Sequence, residues 1–307
     1  MEMLCYYTHS LQHQNNENMH QPVLLNTALK FLDIKPNGVY IDATFGRGGH
    51  SKMILEQLSL QGRLLAFDQD PDAVAYAHDN FNQPNFTIIH DNFIHYYQYL
   101  QRLNINKIDG CLLDLGVCST QLDHDSRGFS FKKEAMLDMR MDNSKGITAA
   151  QWLKTASVKA ISDVLWFYGE ERFNKKIALA IDKARNKINT TLELAELVKQ
   201  TIPYHEHHKH PATRTFQALR IFINDELLKL DNILSSAPAI LTNSGKLVVI
   251  SFHSLEDRIV KKKFKYWSEQ EQYYIIAKKI RPNHDEIKNN RRSRSAIMRV
   301  LEKKYEF

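Results

Sequence analysis

The sequence predicts an α/β protein whose Rossmann-like parallel sheet is interrupted by an inserted all-helical domain. In residues 39–113, short apolar runs alternate with helical patterns at the spacing of right-handed βαβ units, which places the strands side by side in parallel. Residues 148–202 then carry successive helical patterns and no convincing strand. The apolar run at 246–251 resumes the buried-strand pattern, so the sheet continues after the helices.

The first four strands are predicted from short, β-rich apolar runs bounded by polar or turn-forming residues. They lie at 39–41, 63–68, 86–89 and 108–113. Helical patterns connect them at 50–60, 71–81 and 93–103. Pro71 is well placed at the first position of its helix. Because the strands of such units are parallel, their carboxyl ends meet at one edge of the sheet.

The remaining elements divide the chain into two domains. Residues 120–147 are polar with no clear period, and the helix that starts near Ala212 is predicted to be long. Two antiparallel strands, at 273–278 and 295–301, are predicted to close the sheet. The predicted parts are a disordered extension over 1–19, a discontinuous α/β domain over 20–122 and 206–307, and a helical insert over 123–205.

Composition excludes several classes of protein. The 307 residues are 43% hydrophobic and 25% charged, which suits a globular chain of one or two domains and excludes disordered, collagen-like and disulfide-rich mini-proteins. No apolar run approaches the roughly 18–20 residues of a membrane span, and the polar start of the chain resembles neither a secretory signal nor a transit peptide. Cys5, Cys111 and Cys118 have no metal-ligand spacing. We expect a reduced, cytoplasmic protein without membrane contact.

The positive charge of the chain is concentrated at its end. Net charge is +6, and residues 251–307 hold 15 lysines and arginines against 8 acids, while residues 1–250 hold 26 against 27. Basic segments dotted with aromatic residues suit a phosphate backbone, although a solvated helix face followed by a loop would give the same pattern. The candidate nucleic-acid-binding residues here are Lys261, Lys262, Lys263, Arg291, Arg292 and Arg294.

A glycine-rich segment at 42–51 lies between the first predicted strand and the following helix. Glycines such as Gly46 let the backbone approach a ligand closely, although a plain tight turn would also need them. Asp42 precedes the glycines, and Asp68 and Asp114 follow two other strands, so all three acids are expected at the ligand-binding edge. A carboxylate on the second strand can accept both hydroxyls of a ribose. An acid beside the loop suits the cationic groups of S-adenosylmethionine better than a pyrophosphate, so this cofactor is favoured over NAD.

Seven blocks of the sequence resemble the bacterial 16S ribosomal RNA cytosine-N4 methyltransferases, the MraW/RsmH family. The blocks are DATFGRGGHS at 42–51, LLDLGV at 112–117, RGFSF at 127–131, LDMRMD at 137–142, YGEERF at 168–173, HPATRTFQ at 210–217 and SFHSLEDR at 251–258. They run in the family's order, and the resemblance covers the chain from His20 onward. Blocks of this length and specificity do not arise by chance.

The resemblance implies a class I S-adenosylmethionine-dependent methyltransferase fold with a helical domain inserted after the fourth strand. It implies that Asp68 binds the ribose of the cofactor and that Phe93 lies beside the adenine. The implied cofactor-binding set is Gly46, Gly48, Gly49, His50, Asp68, Phe93, Asp114 and Gln121. Without the resemblance, Phe93 would be interpreted as a core aromatic and Gln121 as a loop residue.

The resemblance also implies methyl transfer to N4 of a cytidine in the decoding region of 16S rRNA. The lone pair of this amine is delocalised into the ring, so the enzyme must hold N4 in line with the methyl–sulfur bond, accept an N4 hydrogen and let a proton leave. No metal or covalent intermediate is needed, and the base is expected to be splayed out and stacked. The implied partner is 16S rRNA or a small-subunit particle, and the sequence leaves monomer and homodimer open.

The sequence does not assign the catalytic residues. Other amino-methyltransferases carry an Asn/Asp/Ser-Pro-Pro-Tyr motif after strand four, whereas here Leu-Gly-Val follows Asp114. The candidates are Asp114, His253, Phe129 and Phe131. The two phenylalanines would stack on the base or pack between the domains, and His253 would line the pocket or cap the following helix. Arg214 would meet a phosphate or form a salt bridge on a helix face.

Other functions stay open on the sequence alone. A methyltransferase of the same fold could act on DNA or protein, and an assembly factor could bind ribosomal RNA and use the cofactor only for stability. An NAD-dependent oxidoreductase is the most distant alternative. His205, His207, His208 and His210 cluster with Glu206, but we interpret this segment as an exposed loop and predict no metal site.

Overall fold

The computed structural model describes residues 22–118, 121–122, 125–203 and 210–305. The extension predicted over residues 1–19 lies outside the described residues. The same holds for His205, Glu206, His207 and His208, whereas His210 is described. None of the helices within these ranges is long and apolar enough to span a bilayer.

The centre of the described structure is a single seven-stranded sheet. Its strands are β1 (Val39–Asp42), β2 (Arg63–Asp68), β3 (Phe86–His90), β4 (Ile108–Asp114), β5 (Leu241–Ser251), β6 (Tyr273–Ile280) and β7 (Ile297–Lys303). They follow the order β3-β2-β1-β4-β5-β7-β6. Strands β1 to β5 are parallel, and β7 runs antiparallel to both β5 and β6. This order, with its switch point between β1 and β4, confirms the predicted class I methyltransferase fold.

Helices surround the sheet and form a separate bundle. Those described in full are α1 (Leu25–Leu32), α2 (Gly49–Leu55), α3 (Pro71–Asn80), α4 (Tyr96–Arg102), α5 (Ala149–Thr155), α6 (Val158–Gly169), α7 (Asn174–Ala184), α8 (Thr191–Thr201), α9 (Thr213–Ile223), α10 (Glu226–Ser236), α11 (Ser254–Ser268) and α12 (His284–Asn289). Their starts follow the local sequence. Asp70 caps α3 with Pro71 behind it, and Thr148 and Thr190 form capping boxes with the residues three positions later.

The central strands are apolar throughout because helices cover both faces of the sheet. Leu247 and Val249 of β5 pack into the core that includes α10 and α11, whereas Val248 and Ile250 pack into the core that includes α1 and α2. Successive side chains point to opposite faces, so a strand buried on both sides needs an apolar residue at every position. This continuous apolar pattern is the reason that the second half of β5, at 246–251, could be predicted from the sequence.

Most strand predictions are confirmed to within one or two residues, and two element bounds differ by five residues. β2 has the predicted bounds, and β6 and β7 are the two predicted closing strands. β5 begins at Leu241, which pairs with Ile108 of β4 before an irregularity, and regular pairing resumes at Lys246. No apolar run marks the polar residues between these two points. The predicted helix at 50–60 ends at Leu55, after which the Ser59 N–H donates to the Pro36 carbonyl (2.8 Å) and turns the chain toward β2.

A second core lies inside the helical bundle. Its buried residues come from α5 to α9 and from the polar segment before α5, where Leu137 and Met139 are buried although no helix or strand forms. The largest contributions from the helices are Leu153, Ile161, Leu165, Ile177, Ile181, Leu194, Val198 and Leu219. The prediction of a strand-free helical insert agrees with these elements.

The predicted long helix near Ala212 is wrong, because the chain forms two helices there. Asp225, between α9 and α10, has a left-handed φ of 52°. The Asn224 side chain before it binds the insert's entry segment: it donates to the Met139 carbonyl (2.8 Å) and accepts from the Met141 N–H (2.7 Å). Breaking the helix at this point lets α9 and α10 belong to different cores.

Packing also moves one domain boundary. Phe216 and Leu219 of α9 are buried in the helical core, whereas Leu230 of α10 is buried against the sheet. The insert was predicted to end at residue 205, but its core takes in the whole of α9 and reaches the break at Asp225. The sequence pattern did not show this because α9 and α10 are both ordinary amphipathic helices.

If α9 belongs to the helical core, shortening its buried leucine should be costly. Leu219 is completely buried, so we expect Leu219→Ala to lower the free energy of unfolding by about 2–5 kcal/mol. Urea denaturation of the full chain measures it. Leu228→Ala on α10 is the matched control, since Leu228 is 63% exposed and its change should stay within about 0.5 kcal/mol. Equal effects of the two changes would contradict the packing of α9.

Candidate active site

Three acids end neighbouring strands at the carboxyl edge of the sheet. Asp42 ends β1, Asp68 ends β2 and Asp114 ends β4, and β1 lies between the other two strands. In the register of the sheet, Asp42 pairs with Ala66 and Leu112, so Asp68 and Asp114 each lie two residues further along. Asp42 is therefore the deepest of the three, and it is buried.

Asp42 fixes the glycine-rich loop through two hydrogen bonds. One of its carboxylate oxygens accepts from the Ser51 hydroxyl (2.6 Å), and the other accepts from the Thr44 N–H (3.1 Å). Burial raises the pKa of Asp42, and these hydrogen bonds offset part of that rise. Both oxygens are occupied within the protein, so the geometry gives Asp42 a role in shaping the loop.

The glycine loop is fixed by close packing as well as by its turn. Gly46 and Gly48 have left-handed φ values of 57° and 68°. A Cβ on Gly48 would lie 2.4 Å from the Phe81 ring, and one on Gly49 would lie 2.2 Å from Pro22. Only glycine fits at these positions, whether or not a ligand is considered.

Asp68 is tied to the loop and keeps acceptor capacity. One of its oxygens accepts from the Gly46 N–H (2.8 Å), and the other accepts from the Asp70 N–H (2.9 Å). Each carboxylate oxygen has two lone pairs, so each can accept one more hydrogen bond. Burial raises the pKa of Asp68 to about 6, with the two N–H donors opposing that rise.

His50 and Asp114 face each other beside the loop. Nδ1 of His50 lies 3.7 Å from a carboxylate oxygen of Asp114. Burial lowers the pKa of His50 to about 4, so its imidazole is neutral near pH 7. The Asp114 N–H donates to the Thr44 hydroxyl (2.7 Å), which fixes the end of β4. Among the described residues, Nε2 of His50 and Oδ1 of Asp114 are buried without a hydrogen-bond partner.

The orphaned oxygen of Asp114 fits a cationic donor. Burial raises the pKa of Asp114 well above its usual value, and the charges of Asp42 and Glu256 raise it further. A positively charged N–H donor beside Asp114 would stabilise the ionised carboxylate and satisfy the buried oxygen. S-adenosylmethionine carries both an ammonium group and ribose hydroxyls. The free acceptor positions of Asp114 and Asp68 therefore fit this cofactor.

A buried ion pair ties the Asp68 turn to the helical insert. Arg127 donates from Nη1 to both oxygens of Asp70 (3.0 Å each) and from Nη2 to the Met141 carbonyl (2.8 Å). The Gln121 side chain donates to Asp70 (2.7 Å) and accepts from the Cys118 N–H (3.0 Å). The predicted cofactor residue Gln121 thus lies next to the turn that carries Asp68.

Phe93 lies one strand outward from Asp68, at the end of β3. It is partly buried and packs against the sheet core, in a 3₁₀ turn over Phe93–His95 that Asn92 caps. The Asn92 amide donates to Gln69 (2.9 Å), and Lys229 of α10 donates to the same oxygen (3.2 Å). Phe93 is therefore held beside the turn that follows Asp68, and its place beside an adenine stays a prediction.

A second polar cluster lies at the end of β5. His253 is the cap of α11 and forms a capping box with Glu256 through Nδ1, which agrees with the helix-cap interpretation, while its buried Nε2 has no hydrogen-bond partner among the described residues. Glu256 is buried, which alone would raise its pKa, but the charges of His253 and Arg220 lower it overall. Arg220 donates to both carboxylate oxygens of Glu226, from Nε to one and from Nη2 to the other, each at 2.8 Å.

This cluster has the composition of a metal site, but its acids already have partners within the protein. Glu226, His253 and Glu256 offer ligand atoms within 4.8 Å of one another, a grouping found within the described part of the chain. The guanidinium of Arg220 occupies both oxygens of Glu226, and His253 lies 3.2 Å from Glu256. Both acids of the cluster therefore already have partners within the protein, Arg220 for Glu226 and His253 for Glu256.

The two candidate stacking residues pack within the helical body, which consists of the insert and α9. Phe129 is buried in the helical core. Phe131 is partly buried, stacks on His210 with ring centroids 4.5 Å apart, and meets Phe216 edge-on at 4.9 Å. For Phe129, burial in the helical core favours the packing interpretation. Phe131 stays a candidate for stacking on a base.

Three of the family-like blocks meet where the helical body touches α11. Glu170, just after α6, accepts from Arg258 (2.9 Å) and from the Ser254 hydroxyl (3.2 Å). Hydrogen bonding from Arg258 lowers the pKa of Glu170, and the charge of Arg214 contributes. Arg214 thus lies near a charged junction between the helical body and the sheet domain. This position is compatible with a contact to an RNA phosphate and with a salt bridge on the helix face.

The candidate basic residues separate into two groups. The connection between β6 and β7 lies at the carboxyl edge, because β7 starts at Ile297 opposite Ser251. The exposed residues of this connection include Arg291, Arg292 and Arg294. The lysines lie further along α11, which starts at the same edge and runs away from it. Lys261 lies about 10 Å of helix rise from Ser254.

The lysines also differ among themselves. Lys261 and Lys262 are exposed, whereas Lys263 donates to Ser235 (2.7 Å) and pairs with Asp231 (2.8 Å) of α10. Lys263 therefore fastens α11 to α10. Of these two candidate groups, the arginine connection is the one that lies at the edge carrying Asp68 and Asp114.

Sequence reasoning missed the Arg127–Asp70 pair and the Arg220–Glu226 pair. Arg127 stood in a recognised block and Asp70 preceded Pro71, so each residue carried a signal on its own. Nothing in the sequence linked them, because the partners lie 57 residues apart and meet only when the insert folds onto the sheet.

Comparisons with known proteins identify the family of this chain. Residues 17–304 match the family model described as the MraW methylase family. Ribosomal RNA small subunit methyltransferase H of Francisella tularensis subsp. mediasiatica is 51% identical over 306 residues, which cover 93% of this chain and 100% of that protein. The protein of the same name from Hydrogenovibrio crunogenus is 46% identical over 308 residues, covering 94% and 98%. A solved rRNA methylase from Streptococcus thermophilus aligns with a TM-score of 0.40 at 12% identity over 94% of this chain and 99% of that chain.

The raised pKa of Asp68 predicts that cofactor binding depends on pH. With a pKa of about 6, the carboxyl is ionised above that pH and protonated below it. The ionised form offers acceptors to both ribose hydroxyls. The affinity for S-adenosylmethionine should therefore fall as the pH drops through 6, by at most about tenfold per pH unit for one proton.

Calorimetric titration of the full chain across this pH range measures the effect. In Asp68→Asn we expect weak binding without the step near pH 6. Asp79→Asn, which changes an exposed acid of α3, is the matched control and should keep the step. If the affinity of the wild type for S-adenosylmethionine is the same at neutral pH and below pH 6, the assignment of Asp68 to the ribose is contradicted.

Proposed function

The chain belongs to the MraW methylase family, and on this premise we propose that it transfers the methyl group of S-adenosylmethionine to N4 of a cytidine in the decoding region of 16S ribosomal RNA. The observation that carries the proposal is the buried, orphaned oxygen of Asp114. It lies at the carboxyl edge with the glycine loop on one side and the β5 cluster on the other. A site that accepts an amino N–H at this point suits both the cofactor and the target amine.

The cofactor site is proposed to consist of the loop and the two acids beside it. Asp68 accepts the ribose hydroxyls, Phe93 packs beside the adenine, and Asp114 accepts from the ammonium group. The remaining members are Gly46, Gly48, Gly49, His50 and Gln121. S-adenosylmethionine, when bound, supplies an electrophilic methyl group on a sulfonium centre.

The protein's part in the reaction is to position N4 and to accept its hydrogen. The target amine is a poor nucleophile, so in-line placement contributes most, up to about 7–11 kcal/mol. Asp114 is proposed to accept an amino N–H on the reacting side, which raises electron density on nitrogen. Neutral His50 lies beside this carboxyl, with Nδ1 3.7 Å from Asp114, and its buried Nε2 has no hydrogen-bond partner among the described residues.

The RNA is proposed to enter over the carboxyl edge, between the helical body and the β6–β7 connection. Arg291, Arg292 and Arg294 line that edge in exposed positions, and Arg214 lies at the junction with the helical body. Phosphate neutralisation by these groups would make RNA affinity fall steeply with salt.

The function is tested by methyl transfer from labelled S-adenosylmethionine to small-subunit particles that lack the modification, with naked 16S rRNA alongside. The RNA is digested and its nucleosides are identified by mass. We expect N4-methylcytidine from the wild type and from Asp79→Asn, and a loss in Asp68→Asn. Methylation of DNA, protein or another nucleoside would replace the proposed substrate, and cofactor binding without turnover would favour an assembly factor.

The arginine connection should contribute more to RNA binding than the lysines of α11. We expect the triple change of Arg291, Arg292 and Arg294 to Gln to weaken RNA binding and to lower the slope of log affinity against log salt by up to about 2, since each lost phosphate contact to a single strand is worth about 0.7. Cofactor affinity should not change, because Asp68 and Asp114 are untouched.

Lys261, Lys262 and Lys265 changed together to Gln form the control for this measurement. The control removes the same charge from exposed positions of α11. Fluorescence anisotropy with an rRNA fragment at several salt concentrations measures both variants. Equal slopes for the two triple variants would show that only overall charge matters and would contradict entry over the arginine edge.

A further inference from the structure

Two neighbouring aromatic rings stand in solvent at the end of α6. Trp166 is 53% exposed and Phe167 is 64% exposed. The inward positions of the same helix, Ile161, Val164 and Leu165, are buried in the helical core. Single exposed apolar residues are common, but an adjacent pair of large rings on the outer face of a short helix is unusual on a protein surface.

These rings lie one helical turn from the junction between the two bodies. The Glu170 N–H donates to the Trp166 carbonyl (3.1 Å), and the Glu170 carboxylate binds Arg258 and Ser254 of α11. Because α11 starts directly after β5, this junction borders the carboxyl edge of the sheet. The pair is thus one helical turn from a junction that begins where β5 ends, at the same edge of the sheet as the candidate active site.

The surface next to the rings is basic. Arg172, Lys175 and Lys176 are exposed in the turn after α6 and at the start of α7. The two acids in the same turn are engaged within the protein: Glu170 at the junction, and Glu171 buried with its carboxylate accepting from the Phe173 N–H (2.9 Å). The positive charge of this turn is therefore not cancelled by its own acids.

We infer that Trp166 and Phe167 stack on unpaired bases of the RNA strand that flanks the target nucleotide, while Arg172, Lys175 and Lys176 meet its phosphates. This inference rests on the proposed function for the identity of the RNA. Exposed rings beside a row of cations are the combination that binds single strands without reading their sequence, because every base has a π-face.

The size of the patch favours RNA over a protein partner. Two side chains expose far less surface than the roughly 1,200–2,000 Å² that a stable protein interface buries. A basic border around aromatic rings matches a phosphate backbone, whereas an interface between two copies of this chain would place these cations against each other. A rigid ring also stacks at little entropic cost, since few side-chain torsions are fixed.

The test compares Trp166→Ala/Phe167→Ala with wild type in the full chain. The probe is a fluorescent unpaired oligoribonucleotide, used intact and with its bases removed on both sides of one central cytidine. We expect the double variant to bind the intact probe roughly 5- to 100-fold more weakly, which corresponds to the stacking of one base or more. It should bind the base-free probe as wild type does, because phosphate contacts remain.

Two further variants keep the result interpretable. Leu60→Ala/Tyr274→Ala removes two exposed apolar side chains at the opposite edge of the sheet and should bind both probes normally. Trp166→Phe/Phe167→Tyr keeps two rings and should restore most of the affinity. Cofactor affinity should be unchanged in all variants, since the rings are remote from Asp68.

The outcomes separate this inference from the proposed function. If wild type methylates the particles but loss of the rings leaves RNA binding unchanged, the stacking surface is refuted and the function stands. If wild type methylates no RNA yet the rings discriminate the two probes, the function falls and the surface stands. If the double variant only converts a dimer into a monomer in sedimentation, the patch is an interface between copies and the inference is overturned.

Discussion

One buried ion pair holds the two bodies of this protein in register. Arg127, at the start of the insert, donates to both oxygens of Asp70, in the turn after β2. Removing one partner of such a pair leaves an uncompensated buried charge, which typically costs about 3–5 kcal/mol, more than the intact pair contributes on balance. Asp70 also donates its backbone N–H to Asp68. The position of the predicted ribose-binding carboxylate therefore depends on how the insert sits, and the cofactor site and the helical body form one mechanical unit.

Charge at the carboxyl edge is arranged by depth. Burial raises the pKa of Asp114, and the charges of the deep acids Asp42 and Glu256 raise it further, so the interior of the site favours a cationic ligand. The exposed arginines of the β6–β7 connection lie on the outside of the same edge and favour a polyanion. A cationic cofactor is thus attracted to the interior of the opening and an anionic nucleic acid to its outer rim. The two ligands would meet at the end of β4.

Much of the fold could be predicted from the sequence because buried parallel strands leave continuous apolar runs. β2 was predicted at its observed bounds, whereas the polar first half of β5 left no such run. The break at Asp225 was missed because the amphipathic pattern carries through it and the cause, the binding of Asn224 to the entry segment, is tertiary. For the site, the glycines and strand-end acids were visible as local motifs. The partners of Asp70 and Glu226 were not, since those contacts join segments distant in the chain, and the roles of Phe129 and His253 needed packing and capping geometry.

The packing around the glycine loop has a consequence for the thermodynamics of binding. Gly48 and Gly49 press against Phe81 and Pro22 with no room for a Cβ, and Asp42 holds the loop through Thr44 and Ser51. The loop's conformation is thus imposed by the protein's own interior. A ligand that arrives there meets a preorganised backbone, and little conformational entropy remains to be lost on association. The same rigidity means that the loop cannot adapt, so a bulkier nucleoside would be rejected by steric conflict with the backbone itself.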